Sequence, residues 1–105
     1  MKSKPVTVVR IYALEGRASS GEIVDMLRNE QAISGVSVFR AIEGYGEDGE
    51  MHTTSLLALS VALPVVVEFY DEPEKAENAI IALRSRFDLP HIVTWPAAAP
   101  ISVDS

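Results

Sequence analysis

Gly35-Val36-Ser37-Val38-Phe39-Arg40-Ala41-Ile42-Glu43-Gly44-Tyr45-Gly46 opens as one strand and closes as a glycine-flanked aromatic that runs into a polar loop. Gly35 can end the preceding turn, because a residue without Cβ tolerates positive φ. Val36, Val38, Arg40 and Ile42 fall on one side of a pleated strand, and Ser37, Phe39, Ala41 and Glu43 on the other. Gly44 and Gly46 bracket Tyr45 and free the backbone to leave the sheet. The next residues, Glu47-Asp48-Gly49-Glu50-Met51-His52-Thr53-Thr54-Ser55, have no apolar period. A rigid strand that presents a long polar loop is an arrangement more often tied to function than to packing.

Upstream, Val6 to Ala13 is β-rich and bounded by Pro5 and Gly16, so it reads as the first strand. Leu14 to Ala18 connects it to a helix opened by the capping box Ser19/Glu22. Ile23, Met26 and Leu27 give that helix its apolar stripe, and it fades near Gln31–Ile33. Downstream, Leu56–Leu59 reads as a short strand or turn, and Leu63–Tyr70 as a long strand with Pro64 tolerable at its start. Asp71-Glu72-Pro73-Glu74 starts a second helix, with carboxylates near its positive end. Ala76, Ala79, Ile80, Leu83 and Phe87 form its buried stripe, and Arg84 and Arg86 lie in its last turn. Asp88-Leu89-Pro90 breaks it. His91–Trp95 is a short final strand, and residues 96–105, with Pro100 and three alanines, form an extended tail beyond a single domain spanning residues 1–95.

The order is βαββαβ, which predicts an α+β ferredoxin-like fold: an antiparallel sheet with two helices on one face. Yet the long strands carry Val, Ile, Phe or Leu on both sides, whereas a sheet with one wet face alternates apolar and polar residues. The expected remedy is self-association through the bare face, closed into a ring of subunits.

Composition narrows the function. Nine basic against fifteen acidic residues give a net charge of −6, with no Lys/Arg cluster to neutralise phosphates, so nucleic acid is not an expected partner. An RNA-binding sheet shares the strand order and stacks bases on aromatics, but the acidic balance and the missing Lys/Arg-Gly-Phe run oppose it. The absence of cysteine excludes disulfides and thiolate metal sites and fits a reducing cytoplasm. Met1-Lys2-Ser3-Lys4-Pro5 has the charge of a signal peptide without its apolar core. The 56–69 run is shorter than the roughly 20 residues that span a bilayer. The expectation is a soluble cytoplasmic protein.

No Ser-His-Asp set or nucleophile elbow is readable. An acylphosphatase, of the same strand order, would need an Asn to orient water, and Asn29 and Asn78 lie inside the helices. The chain therefore reads as a non-enzyme. His52 and His91 with Glu47, Asp48 and Glu50 can be imagined around a divalent metal, but Asp48-Gly49-Glu50 lacks the alternating oxygens of a calcium loop, and a solvated acidic loop is the simpler reading. Arg10 and Arg40 each interrupt a β-rich strand. A buried arginine needs an anion, so each faces a phosphate or a subunit boundary, or else a carboxylate such as Glu43 or Glu68. Tyr45 can stack on a base or cap the core, and Trp95 belongs to core or interface.

In its Gly35–Gly46 motif the chain resembles the PII-like "domain of unknown function one-ninety" family, which commonly reads Gly-Ala-Thr-Val-x-Arg-Gly-x-x-Gly-Phe-Gly. The similarity takes in Arg10-Ile11-Tyr12, Leu63-Pro64-Val65-Val66-Val67-Glu68, Asp71 and Pro73-Glu74-Lys75, over roughly residues 6–95. Ala41 departs from the usual glycine, and Val61-Ala62 stands where the family is more polar. The resemblance implies a homotrimeric PII-like regulatory or signalling protein. It would bind an adenine nucleotide or another anion in clefts between subunits, with Arg10, Arg40, Gly44, Tyr45 and Gly46 as ligand-binding residues. Its 44–55 loop, through Glu47, Asp48, Glu50, His52 and Thr53, would contact a partner: a membrane transporter, a channel or an enzyme. The chain lacks PII's second basic, glycine-rich nucleotide loop and a counterpart of its modified loop tyrosine. The rivals are a ligand-free trimeric adaptor of a transporter or channel, and a divalent-metal protein similar to the CutA family.

Overall fold

A computed structural model describes residues 1–14, 20–45, 49–53 and 64–101. In chain order they form β1 (Ser3–Leu14), α1 (Ser20–Asn29), β2 (Val36–Arg40), β3 (Glu43–Gly44), β4 (His52–Thr53), β5 (Pro64–Asp71), α2 (Pro73–Arg86) and β6 (His91–Pro100). The four long strands make one antiparallel sheet in the order β2-β5-β1-β6, which is the ferredoxin-like arrangement. Ser19, the expected helix cap, and the 56–59 segment lie outside the described residues.

Both helices cover the same face. Val9 and Ile11 of β1 and Val67 and Phe69 of β5 are buried with Ile23, Met26 and Leu27 of α1 and with Ala76, Ala79 and Leu83 of α2. The alanines have little side chain to hold α2 away from the strands. Full burial of a Leu or Ile side chain contributes about 1.5–3 kcal/mol, so this single layer holds the two halves of the chain together. Two connection residues join it that periodicity did not single out: Ile33 after α1 and Leu89 after α2, exposed by only 4% and 3%.

Three local expectations are corrected. The turn before β2 uses Ala32, at φ 54°, as its left-handed residue, whereas Gly35 has no positive φ. There the N–H groups of Glu30 and Gln31 both donate to the Met26 carbonyl, at 3.0 and 3.1 Å, and Ile33 N–H donates to Leu27 O at 2.9 Å. Strand β2 stops at Arg40 rather than Ile42. Its last rung is Ala41 N–H to the Pro64 carbonyl at 2.9 Å, and Pro64 has no N–H to return. Finally, residues 96–100 are not a detached tail. Strand β6 runs on to Pro100, pairing Pro96 with Thr7 and Pro100 with Ser3. Prolines are tolerated there because β6 is an edge strand, whose outer N–H groups bond to no neighbour.

Helix α2 starts as its sequence suggests, with Pro73 in the first turn. Its N-cap residue, Glu72, makes no side-chain cap. Instead Asp71, the last residue of β5, accepts the Glu72 N–H at 2.8 Å and pairs with Lys75 at 3.6 Å.

Candidate functional site

In an antiparallel ladder, directly opposed residues share a face. Val36, Val38 and Arg40 oppose Phe69, Val67 and Val65, so they lie on the helix side. Ser37 and Phe39 oppose Glu68 and Val66, and these oppose Arg10 and Tyr12, so that set lies on the bare side. Strand β6 extends the bare side with His91, Val93 and Trp95, opposite Tyr12, Arg10 and Val8. The bare face is therefore largely apolar and open: Tyr70 is 57% exposed, Phe39 55%, Val93 49%, Tyr12 42% and Trp95 37%. Patches of this sort on a small protein mark an interaction surface.

At the centre of that face Arg10 donates from Nε and Nη2 to a single oxygen of Glu68, Oε1, at 2.8 and 2.6 Å. Its guanidinium also sits 5.3 Å from the centroid of the Trp95 ring, within cation–π range. A hydrogen bond to Tyr12, then those to Glu68, push the Arg10 pKa further up, so the cation is permanent. Arg10 thus has a carboxylate partner within its own chain.

Arg10 and Arg40 consequently do not converge within one subunit, since they project from opposite faces of the sheet. Arg40 belongs to another group. It is exposed at the end of β2, beside the buried Val65. Gly44 lies close to the start of β5: a Cβ there would stand in ordinary contact with Pro64 Cγ, at 3.4 Å. Tyr45 follows, 71% exposed, and does not cap the core. The expected partner loop does not begin as irregular chain. Glu43 and Gly44 pair with Thr53 and His52 as a two-stranded ribbon that gives the loop a fixed base. Gly49 takes φ 70° and Glu50 is exposed, while Gly46, Glu47 and Asp48 lie outside the described residues.

A shallow groove on the far side, between the helices, is lined by Glu22, Asp25, Asn29, Glu30, Arg86 and Phe87 among others, and it holds none of the expected site residues. There Arg86 grips Glu30 with two bonds, at 2.8 and 3.1 Å, and holds its carboxyl below the usual range. Among the described residues no three His, Asp or Glu side chains stand together as metal ligands. No described helix is long and apolar enough to cross a membrane.

Residues 6–99 match the family model DUF190, described as Uncharacterized ACR. The chain belongs to this family. A UPF0166 protein of Aquifex aeolicus is 40% identical over 57 residues, 54% of each chain, so the match spans about half the length of that relative. UPF0166 protein MJ1524 of Methanocaldococcus jannaschii is 35% identical over 78 residues, 70% of each. Solved structures share the fold at far lower identity. CPII of Thiomonas intermedia K12, solved with ADP and bicarbonate, superposes with a TM-score of 0.68 at 11% identity, over 93% of this chain and 91% of that one. A putative PII-like signaling protein, TTHA0516 of Thermus thermophilus, gives 0.63 at 16% identity over 94% and 91%. The divalent ion tolerance protein CutA1 of Ehrlichia chaffeensis gives 0.59 at 10% identity over 94% and 85%. The fold is PII-like, as the Gly35–Gly46 motif suggested.

Proposed function

We propose that this chain is the subunit of a PII-like regulatory trimer that works in the cytoplasm. It assembles through the bare sheet face, takes an adenine nucleotide or another anion at the clefts between subunits, and meets a transporter, channel or enzyme through residues 44–55. The observation that carries the reading is the bare face itself, with Tyr12, Phe39, Tyr70, Val93 and Trp95 all open to solvent in a single chain. Arg40, Gly44 and Tyr45 supply the ligand side. They gather where β2 ends and the ribbon begins, at the open edge of the sheet that a neighbouring subunit would complete. A guanidinium and a solvent-facing phenol are suited to a phosphate and a base. CPII, which shares the fold, was solved with ADP bound.

Calorimetry with ATP, ADP, AMP and cyclic AMP tests the ligand. The proposal predicts saturable heat with at least one of them, reduced about tenfold or more in affinity by Arg40→Ala, the size of losing a charge-assisted phosphate contact. No heat with any of the four, together with an unchanged melting temperature, overturns nucleotide sensing and leaves the ligand-free adaptor. The CutA-like fold keeps a metal reading in play, and metal analysis of untagged protein alongside His52→Ala decides it.

A further inference from the structure

The bare face has its charges in the wrong place for an ordinary interface. Interface cores are depleted of charge, which collects at the rim. Here Arg10 and Glu68 occupy the two central strands, and Val8, Tyr12, Val66, Tyr70, Phe39 and Trp95 surround them. As a half-exposed pair within one chain, the two ions contribute little to stability. Two valines would suit an apolar face better. The geometry is also incomplete: both Arg10 bonds to Glu68 land on Oε1, where a fork-to-fork pair would use both oxygens.

We propose that the Arg10–Glu68 pair specifies how copies of this chain meet, fixing one register and one stoichiometry for a face that apolar contact alone would let slide. The inference rests on the assembly proposed above, and its occupant is a second copy of the chain. The face favours that occupant because its cation and anion balance each other, so like faces meet without net repulsion even though each chain carries −6. Burying the pair is costly unless the second carboxylate oxygen finds a donor. Only those arrangements that bring a hydroxyl or N–H of the neighbouring copy to Glu68 Oε2 escape that penalty, and arrangements that miss it are disfavoured.

The test is native mass spectrometry with sedimentation velocity on wild type, Arg10→Lys and the double variant Arg10→Met/Glu68→Leu. The wild type should show one assembled species. The double variant should associate at least about tenfold more tightly, as replacement of a buried ion pair by apolar side chains allows, but as a mixture of stoichiometries. Arg10→Lys keeps the charge and loses the planar fork, and should raise the dissociation midpoint about tenfold or more. A double variant that forms the same single species as wild type overturns the inference while leaving the assembly intact. So does an unchanged midpoint in Arg10→Lys, which decides the matter if the double variant fails to fold. A monomeric wild type removes the assembly and the inference together.

Discussion

Among the described residues Ala32 is the one non-glycine position with a positive φ. At φ 54° it lies in the left-handed region, which costs a non-glycine residue roughly 1–2 kcal/mol. Glycine relieves that but brings more freedom to the unfolded chain, so Ala32→Gly should stabilise the fold by about 0.5–1 kcal/mol, read from urea denaturation. A valine there should destabilise it. Glu30 carries a pH signature. Arg86 lowers its folded-state pKa from an ordinary 4.5, so the pair's contribution is present above that value and is lost as the pH falls through the lowered one. The melting temperature of wild type should exceed that of Glu30→Gln at neutral pH, and the small gap should close in acid. A gap that persists there would contradict the assignment. Neither feature can be read from sequence: a left-handed alanine has no compositional mark, and Glu30 and Arg86 meet only because the two helices end side by side.

Strand β6 shows where reading by composition stops short. Pro96, three alanines and Pro100 look like a tail because proline breaks ladders and alanine has low strand propensity. The competing fact is positional: an edge strand needs only one set of backbone bonds, and β1 extends four residues beyond its pairing with β5 to supply them. Hydrogen exchange should accordingly find alternate amides of Ala97–Ala99 protected, and a chain ending at Trp95 should melt at lower temperature. Uniform, immediate exchange across those amides would contradict the pairing. The long elements were legible for the opposite reason. Ile23, Met26 and Leu27 in α1, and Ala76, Ala79 and Leu83 in α2, repeat at helical spacing and are all buried as that spacing requires. The ribbon at the base of the loop was not legible, since two residues on each side are too few to show a period.

Among the described residues the sheet is covered by helices on one side. That imbalance was visible in the strand sequences, because Val8, Tyr12, Val66 and Tyr70 alternate with core residues that are also apolar. Which arginine went where was not visible. Arg10 and Arg40 look alike in sequence, each set in a β-rich strand, and only the register of β5 between β1 and β2 assigns them to opposite faces. The expected ligand set is thereby divided, with Arg10 on the face that assembly would bury and Arg40 beside Gly44 and Tyr45 at the edge. The proposed closed ring would resolve the imbalance by giving each bare face a neighbour. The decisive measurement is sedimentation equilibrium of the purified chain across micromolar concentrations. The account predicts a single species of three times the 11.4 kDa chain mass, dissociated by Phe39→Ser/Tyr70→Ser. A wild-type chain that stays at the mass of one subunit throughout that range would contradict it.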